Sequence, residues 1–167
     1  TEQFFWRFTD DYVELVKARA YGSQGAEEAS SAHAALSITL DTLLRLFAPF
    51  LPFVTAEVWS WSKSDSVHRA PWPSHNDLLS QLSSEVDIGL FDAASETLSE
   101  VRRAKTEAKR SLKVEAESVV VSAERSHLDL LELARTDLME AGNISNLELV
   151  EQQHDATRVE VTLAEEN

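Results

Sequence analysis

The feature that most constrains the fold is a proline-marked corner at residues 46–59. Pro49 and Pro52 each lack an amide donor and restrict the residue before them, so one helix cannot run through both. The apolar repeat ahead of them predicts a helix that ends near Phe47. Pro52 suits the first turn of the next helix, where its missing N–H costs nothing. We therefore expect this corner, with the tryptophan-bearing segment 66–73 that follows, to fix the angle between two helices rather than to carry chemistry.

Apolar residues recur along much of the chain at the three-and-four spacing of helices with one buried face. Four main helices are predicted, at residues 2–21, 26–47, 52–62 and 85–110. Their expected core positions include Leu40 and Leu43 in the second helix and Phe53, Val54, Val58 and Trp61 in the third. The connection 63–76 is expected to be ordered, with Trp72 packed over the helices. Ser84 and Asp87 resemble a capping box before the fourth helix.

After Lys113 the pattern changes to that of a small α/β unit. It predicts a strand at 118–122, a helix at 124–140 ended by Gly142 and Asn143, and strands at 146–150 and 158–163. The predicted fold is mainly α: an antiparallel helix bundle at residues 1–113, followed by a β-α-β-β subdomain at residues 114–167.

The charge distribution leaves two interpretations open. A net charge of -14 argues against a nucleic-acid partner, because phosphate binding depends on positive potential. Residues 101–113 nevertheless hold six basic residues against Glu107 alone. The six are Arg102, Arg103, Lys105, Lys109, Arg110 and Lys113. This basic run is either a surface for a phosphate backbone or a solvated helix end whose cations suit the helix dipole.

Composition excludes several other classes. The chain has no cysteine, which rules out disulfides and thiolate metal sites and favours a reducing cytoplasm. No window approaches the eighteen apolar residues of a membrane span, and the five histidines show no ligand spacing, so neither a membrane nor a metal is predicted. The chain opens at Thr1 inside an amphipathic pattern, which we interpret as a piece cut from a longer protein.

Three blocks of the sequence, at residues 5–17, 48–59 and 66–73, resemble in order and spacing the anticodon-binding domain of the valyl-tRNA synthetases, which belong to class I. The resemblance covers residues 1–113 well and the tail more loosely. The pattern of proline, aromatic, acidic residue and tryptophan in the second block is shared with the isoleucyl and leucyl enzymes, which remain the alternative. Asp10, Tyr12 and Glu14 followed by Lys17 favour the valyl family. Ala56 departs from the acidic residue usual there, at a helix-surface position.

The resemblance implies a division of labour within a longer enzyme. The full-length enzyme would ligate valine to its tRNA using ATP and Mg²⁺, whereas this fragment would hold the anticodon stem-loop and have no catalytic residue. Neither a HIGH-like nor a KMSKS-like signature occurs in the chain. The implied partners are tRNA and the catalytic domain of the same chain, in a cytoplasmic monomer with no role on DNA. A rival from another class is a helical protein-interaction module without an RNA role, which the charge of -14 would suit.

The candidates for RNA contact are the basic run and three residues of the first helix. Lys17 and Arg19 could meet bases or phosphates, with ordinary surface charge as the alternative. Trp6 lies off the inward apolar stripe and could stack a base. Asp10 and Asp11 diverge in direction as neighbours on a helix, so we expect them to orient lysine and arginine rather than to form an acid/base pair.

Overall fold

The computed structural model of the protein describes residues 2–81, 88–152 and 157–165, so the predicted capping box lies outside the described residues. The chain packs as two compact units, one of Thr1–Gly25 with Asp87–Asn167 and one of Ala26–Val86. The predicted class, mainly α with a small α/β part, is confirmed. The boundary at residue 113 stays a prediction, because compact packing and the limits of a family domain are different properties.

The first unit begins with a helix that contains a wide turn. Helix α1 spans Glu2–Arg7, a π-helical segment spans Phe8–Tyr12, and α2 spans Val13–Ala20 without a break between them. The hydroxyl of Thr9 donates to the carbonyl oxygens of Phe5 and Trp6, at 3.1 and 3.2 Å. A side-chain donor that competes for these acceptors favours a local change in helix geometry. The predicted helix 2–21 is confirmed, and the π segment within it was not predicted.

The long helix of the first unit ends earlier than its apolar repeat predicts. Helix α6 spans Ile88–Glu107 and buries Ala94, Leu98 and Val101. Lys109 then adopts a left-handed backbone with φ 56°, and its amide bonds to Thr106 O at 2.9 Å. The Arg110 amide bonds to Lys105 O at 2.8 Å, which completes a Schellman end. Lys109, Arg110 and Lys113 therefore belong to a loop and not to the helix.

The α/β part has the predicted order of strands, with a helical connection between the first and the second, but that connection consists of two helices. Its elements are β1 (Ala116–Ala123), α7 (Arg125–Leu133), α8 (Arg135–Gly142), β2 (Ile144–Glu151) and β3 (Arg158–Leu163). The sheet order is β2-β1-β3, with β1 parallel to β2 and antiparallel to β3. The prediction of one helix at 124–140 is wrong, since Ala134 leaves helical geometry at φ -97° and ψ 5° and divides it. Asn143 ends α8 in the left-handed region, as expected.

One face of this sheet and α6 share the core of the first unit. Val119 and Val121 of β1 are fully buried, and their partners across the sheet are apolar. Leu98 and Val101 of α6 pack into the same cluster with Leu131 and Leu138. The C-terminal end of α6 and the loop after it are thereby set against the end of α8.

The second unit confirms the proline corner. Helices α3 (Ala26–Phe47) and α4 (Pro52–Ser60) are followed by a 3₁₀ turn at Val67–Arg69 and by α5 (His75–Leu79). Pro52 occupies the first turn of α4, as predicted. Ala48, Trp59 and Val67 form the small core, and the indole N–H of Trp59 donates to Asp65 Oδ1 at 3.1 Å.

Several predicted core positions of this unit are wrong. Helix α4 buries Thr55 and Trp59, and it leaves Phe53 89% exposed with Val54 also exposed. Trp61, which follows the helix, is exposed as well. Trp59 packs against Ala48 and Val67, and this contact determines which face of α4 is buried. That face differs from the one that carries the predicted core residues. Leu40 is half-exposed, while Leu43 is buried as predicted. Trp72 is 60% exposed, so most of its indole faces solvent and only one part of it lies against the end of α3.

Candidate nucleic-acid interface

The structure separates the basic run into side chains that are mostly buried and bonded to other segments of the fold, and side chains that are exposed. Arg102 belongs to the first set, because its Nη1 donates to the carbonyl oxygen of Asp10 at 2.9 Å and lies 3.2 Å from Asp11 Oδ1. Both acceptors lie in the π segment, and the hydroxyl of Ser95 donates to the other oxygen of Asp11 at 2.6 Å. The carboxylate of Asp11 thus orients an arginine, as expected, whereas Asp10 contributes only its backbone carbonyl. Arg102 joins α6 to the first helix.

Lys105 is buried, with 1% of its surface exposed. Its ammonium donates to Gly142 O at 2.6 Å and to Leu112 O at 3.1 Å. Burial lowers the pKa of this lysine below its ordinary value. The ammonium cannot reach a phosphate from this position, so Lys105 lies outside the interface and has a structural role.

Arg110 is also committed to the fold. Its Nη2 donates to Ala164 O at 3.2 Å, and the residue is only partly exposed. Because Ala164 follows β3, this bond holds the start of the loop against the end of that strand. The guanidinium therefore connects two chain segments by a hydrogen bond.

Arg103, Lys109 and Lys113 are the exposed members of the run. Arg103 is 64% exposed, yet Glu100 at 2.7 Å and Glu107 at 3.5 Å flank its guanidinium. In the part of the chain that the structure describes, neither Lys109 nor Lys113 pairs with a carboxylate. Such ammonium groups can displace the counterions of a phosphate backbone without first breaking an ion pair.

The two cations of the first helix differ in the same way. Lys17 is exposed and lies 3.2 Å from Glu14, one turn before it. Arg19 pairs with Asp137 of α8 at 3.0 Å and is mostly buried. Burial raises the pKa of Asp137, whereas the hydrogen bond from Gln24 at 2.8 Å and the charge of Arg19 lower it. Arg19 accordingly packs α2 onto α8, and Lys17 remains available at the surface.

Trp6 is 55% exposed, which keeps one part of its indole open to a stacking partner. Its ring meets that of Phe5 edge to face, with centroids 5.5 Å apart. Phe8 and Tyr12, by contrast, stack along the helix toward Phe91 of α6. Burial raises the pKa of Tyr12, as expected for a phenol inside this packing.

A polar groove of about 910 Å³ lies beside α6. Arg7, Arg103 and Arg158 line it, and each has a carboxylate partner, at 2.5, 2.7 and 2.9 Å. Asp92 and Glu96 also line the groove. Its balanced charge gives little net attraction for phosphate, so the groove is a weaker candidate than the loop after α6.

Neither a metal site nor a membrane span is found in the described part of the chain. Among residues 2–81, 88–152 and 157–165, no three His, Cys, Asp or Glu side chains are grouped as metal ligands. Within the same described ranges, no helix combines the length and the apolar character needed to cross a membrane.

The helical part of the chain matches a known class of RNA-binding domain. Residues 1–121 match the family described as the anticodon-binding domain of tRNA ligase. The chain belongs to this family.

Relatives of the chain are named more specifically, as valine–tRNA ligases. The chain is 43% identical to a valine–tRNA ligase of Salinispora tropica over 90% of its own length, and 47% identical to one of Thermobifida fusca over 98%. A valine–tRNA ligase of Cutibacterium acnes is 43% identical over 87% of the chain. The chain spans 19, 18 and 17% of the lengths of these relatives.

Proposed function

We propose that the chain recognises the anticodon arm of tRNA within an enzyme that ligates valine to its tRNA. The match to the anticodon-binding family and the identity to three valine–tRNA ligases support this proposal. The same domain of an isoleucyl or leucyl enzyme is the alternative within the class. The cytoplasmic location and the monomeric state stay predictions.

The observation that carries the proposal is the pair of exposed lysines, Lys109 and Lys113, in the loop after α6. We infer that their ammonium groups neutralise phosphates of the anticodon arm. Arg103 and Lys17 are further candidate cations for RNA contact, although carboxylates partly neutralise both. Trp6 is the proposed stacking residue, since a base can lie on an exposed indole with a gain of about 1–3 kcal/mol. Arg19, Arg102 and Arg110 act by shaping the scaffold.

We assign the ligation itself to the rest of the enzyme. The 167 residues contain no HIGH-like or KMSKS-like signature, so ATP and Mg²⁺ would act in a catalytic domain of the same protein. In this division, the present residues bind and orient RNA and move no proton or phosphoryl group.

Replacing Lys109 and Lys113 together by alanine in the full-length protein tests the proposal. We expect weaker tRNA binding and a shallower dependence of the logarithm of affinity on the logarithm of salt concentration, by about one for each phosphate that is no longer neutralised. Lys63→Ala with Arg125→Ala is the control for the loss of two positive charges, because it removes two exposed cations outside the loop, each of which pairs with a carboxylate. An unchanged salt slope would remove the loop from the RNA footprint. Aminoacylation with valine, isoleucine and leucine separates the three enzymes.

One observation favours a second function, that of a protein-interaction module. Phe50, Phe53 and Trp61 of the second unit are strongly exposed, and exposed apolar groups often mark protein contacts. Such a module would bind no tRNA, so the same salt titration distinguishes it from the first proposal.

A further inference from the structure

The loop that carries the two exposed lysines is held from inside the protein. The buried ammonium of Lys105 joins Leu112 O in the loop to Gly142 O at the end of α8. The next residue along each segment repeats the connection, since Asn143 Nδ2 donates to Lys113 O at 2.9 Å. The carbonyl oxygens of Leu112 and Lys113 thus accept hydrogen bonds from Lys105 and Asn143, at the C-terminal end of α8.

A lysine at this position needs an explanation other than core stability. Lys105 follows Leu98 and Val101 on the buried stripe of α6, where an apolar side chain would satisfy packing. A buried charge carries a large desolvation cost, and apolar replacements of buried charges are often neutral or stabilising. The ammonium donates to two carbonyl oxygens, and Gly142 O lies at the negative end of the α8 dipole. Compared with an apolar side chain, the ammonium adds two directional hydrogen bonds, which fix the positions of these carbonyl oxygens.

We propose that Lys105 is a positioning residue for RNA binding, which together with Asn143 fixes the loop that presents Lys109 and Lys113 to the phosphate backbone. The inference rests on the proposed function of those two lysines. A loop that is ordered before binding loses less conformational freedom when RNA arrives, and this raises affinity without any added contact.

Lys105→Met in the full-length protein tests the inference, because methionine keeps the apolar stem and removes the donor. With tRNA as the probe, we expect binding roughly tenfold weaker and a shallower salt slope, although Lys105 is too buried to touch RNA. Combined with Lys109→Ala and Lys113→Ala, the change should have no further effect, since all three act through one loop. An unchanged slope, or a fully additive decrease in affinity, would make Lys105 only a stabilising residue and would overturn the inference.

Asn143→Gly provides a second variant that keeps the fold. Glycine accepts the φ of 48° at this position and removes the amide that bonds to Lys113 O. Circular dichroism reports whether Lys105→Met folds, and if it does not, Asn143→Gly decides. If Lys109→Ala with Lys113→Ala leaves tRNA binding unchanged, the proposed function of the loop fails. If that pair weakens binding while Lys105→Met and Asn143→Gly do not, only the positioning role fails.

Discussion

The guanidinium of Arg102 lies 3.2 Å from the carboxylate of Asp11, across the contact between α6 and the π segment. The same Nη1 reaches the Asp10 carbonyl, and the hydroxyl of Ser95 completes the coordination of Asp11. A cation that sequence alone offers as an RNA contact is therefore used to join two helices. The side chains involved are mostly buried, at 28% exposure for Arg102 and 16% for Asp11.

Replacing Arg102 by alanine should lower the free energy of unfolding by about 1–2 kcal/mol, because it removes charge-assisted hydrogen bonds at a mostly buried site. Urea unfolding of the wild type and the variant measures the difference. Arg103→Ala is the matched control one residue away and should stay within about 0.5 kcal/mol, since its guanidinium is exposed. Equal decreases for the two variants would contradict the structural role of Arg102.

Lys109→Gly should raise stability and weaken tRNA binding at the same time. A residue with a side chain in the left-handed region carries a penalty of about 1 kcal/mol that glycine avoids. Removal of the ammonium also takes away a phosphate partner in the proposed function. Thermal unfolding and a salt titration with tRNA measure the two effects. Lys109→Ala should weaken binding equally without the gain in stability, and a gain with alanine would contradict the backbone explanation.

Replacing Glu100 and Glu107 together by glutamine should strengthen tRNA binding and steepen its salt dependence. These carboxylates flank Arg103, and without them its guanidinium is available to phosphate. The comparison with Arg103→Ala in the same background isolates the arginine. If the gain persists without Arg103, it reflects the overall charge rather than a released guanidinium.

The stability difference between wild type and Lys105→Met should depend on pH. Burial lowers the pKa of Lys105 below 10.5, so between the two pKa values the unfolded chain binds more protons than the folded one. The contribution of this lysine therefore rises as pH increases and is complete above 10.5. Urea unfolding at neutral pH and at a series of higher pH values should show the free energy of unfolding of the wild type rising relative to that of Lys105→Met. If the difference in free energy of unfolding is constant across this pH range, burial does not lower the pKa of Lys105.

Much of the fold could be predicted because its rules are local. Pro52 sets the start of α4 through its own ring, and alternation along residues 158–163 gives β3 its bounds. The rotated stripe of α4 could not be predicted from the helix alone, since Trp59 is turned inward by contacts with Ala48 and Val67, which lie on either side of α4. The break at Ala134 likewise leaves no mark in the apolar repeat, which continues through it.

The predicted interface contained two kinds of basic residue, those available to contact RNA and those that hold segments of the fold together. Composition does not distinguish the two. A cation at a helix end has the same sequence signal whether it meets solvent, a carboxylate or a carbonyl. Periodicity could have identified Lys105, because it lies four residues after Val101 on the buried stripe. No local pattern marks Arg102 or Arg19, since Asp11 and Asp137 come from other elements.

The pairing of α2 with α8 has a consequence for the order in which the protein is made. Gln24, in the turn after α2, and its partner Asp137 in α8 are 113 residues apart. At ribosomal rates of about 5–20 residues per second, the first helix therefore waits on the order of ten seconds for α8. The second unit emerges complete during that interval. In a nascent chain the second unit would therefore be complete before the first helix is packed, and the aromatic side chains of that helix would stay exposed until α8 has been made.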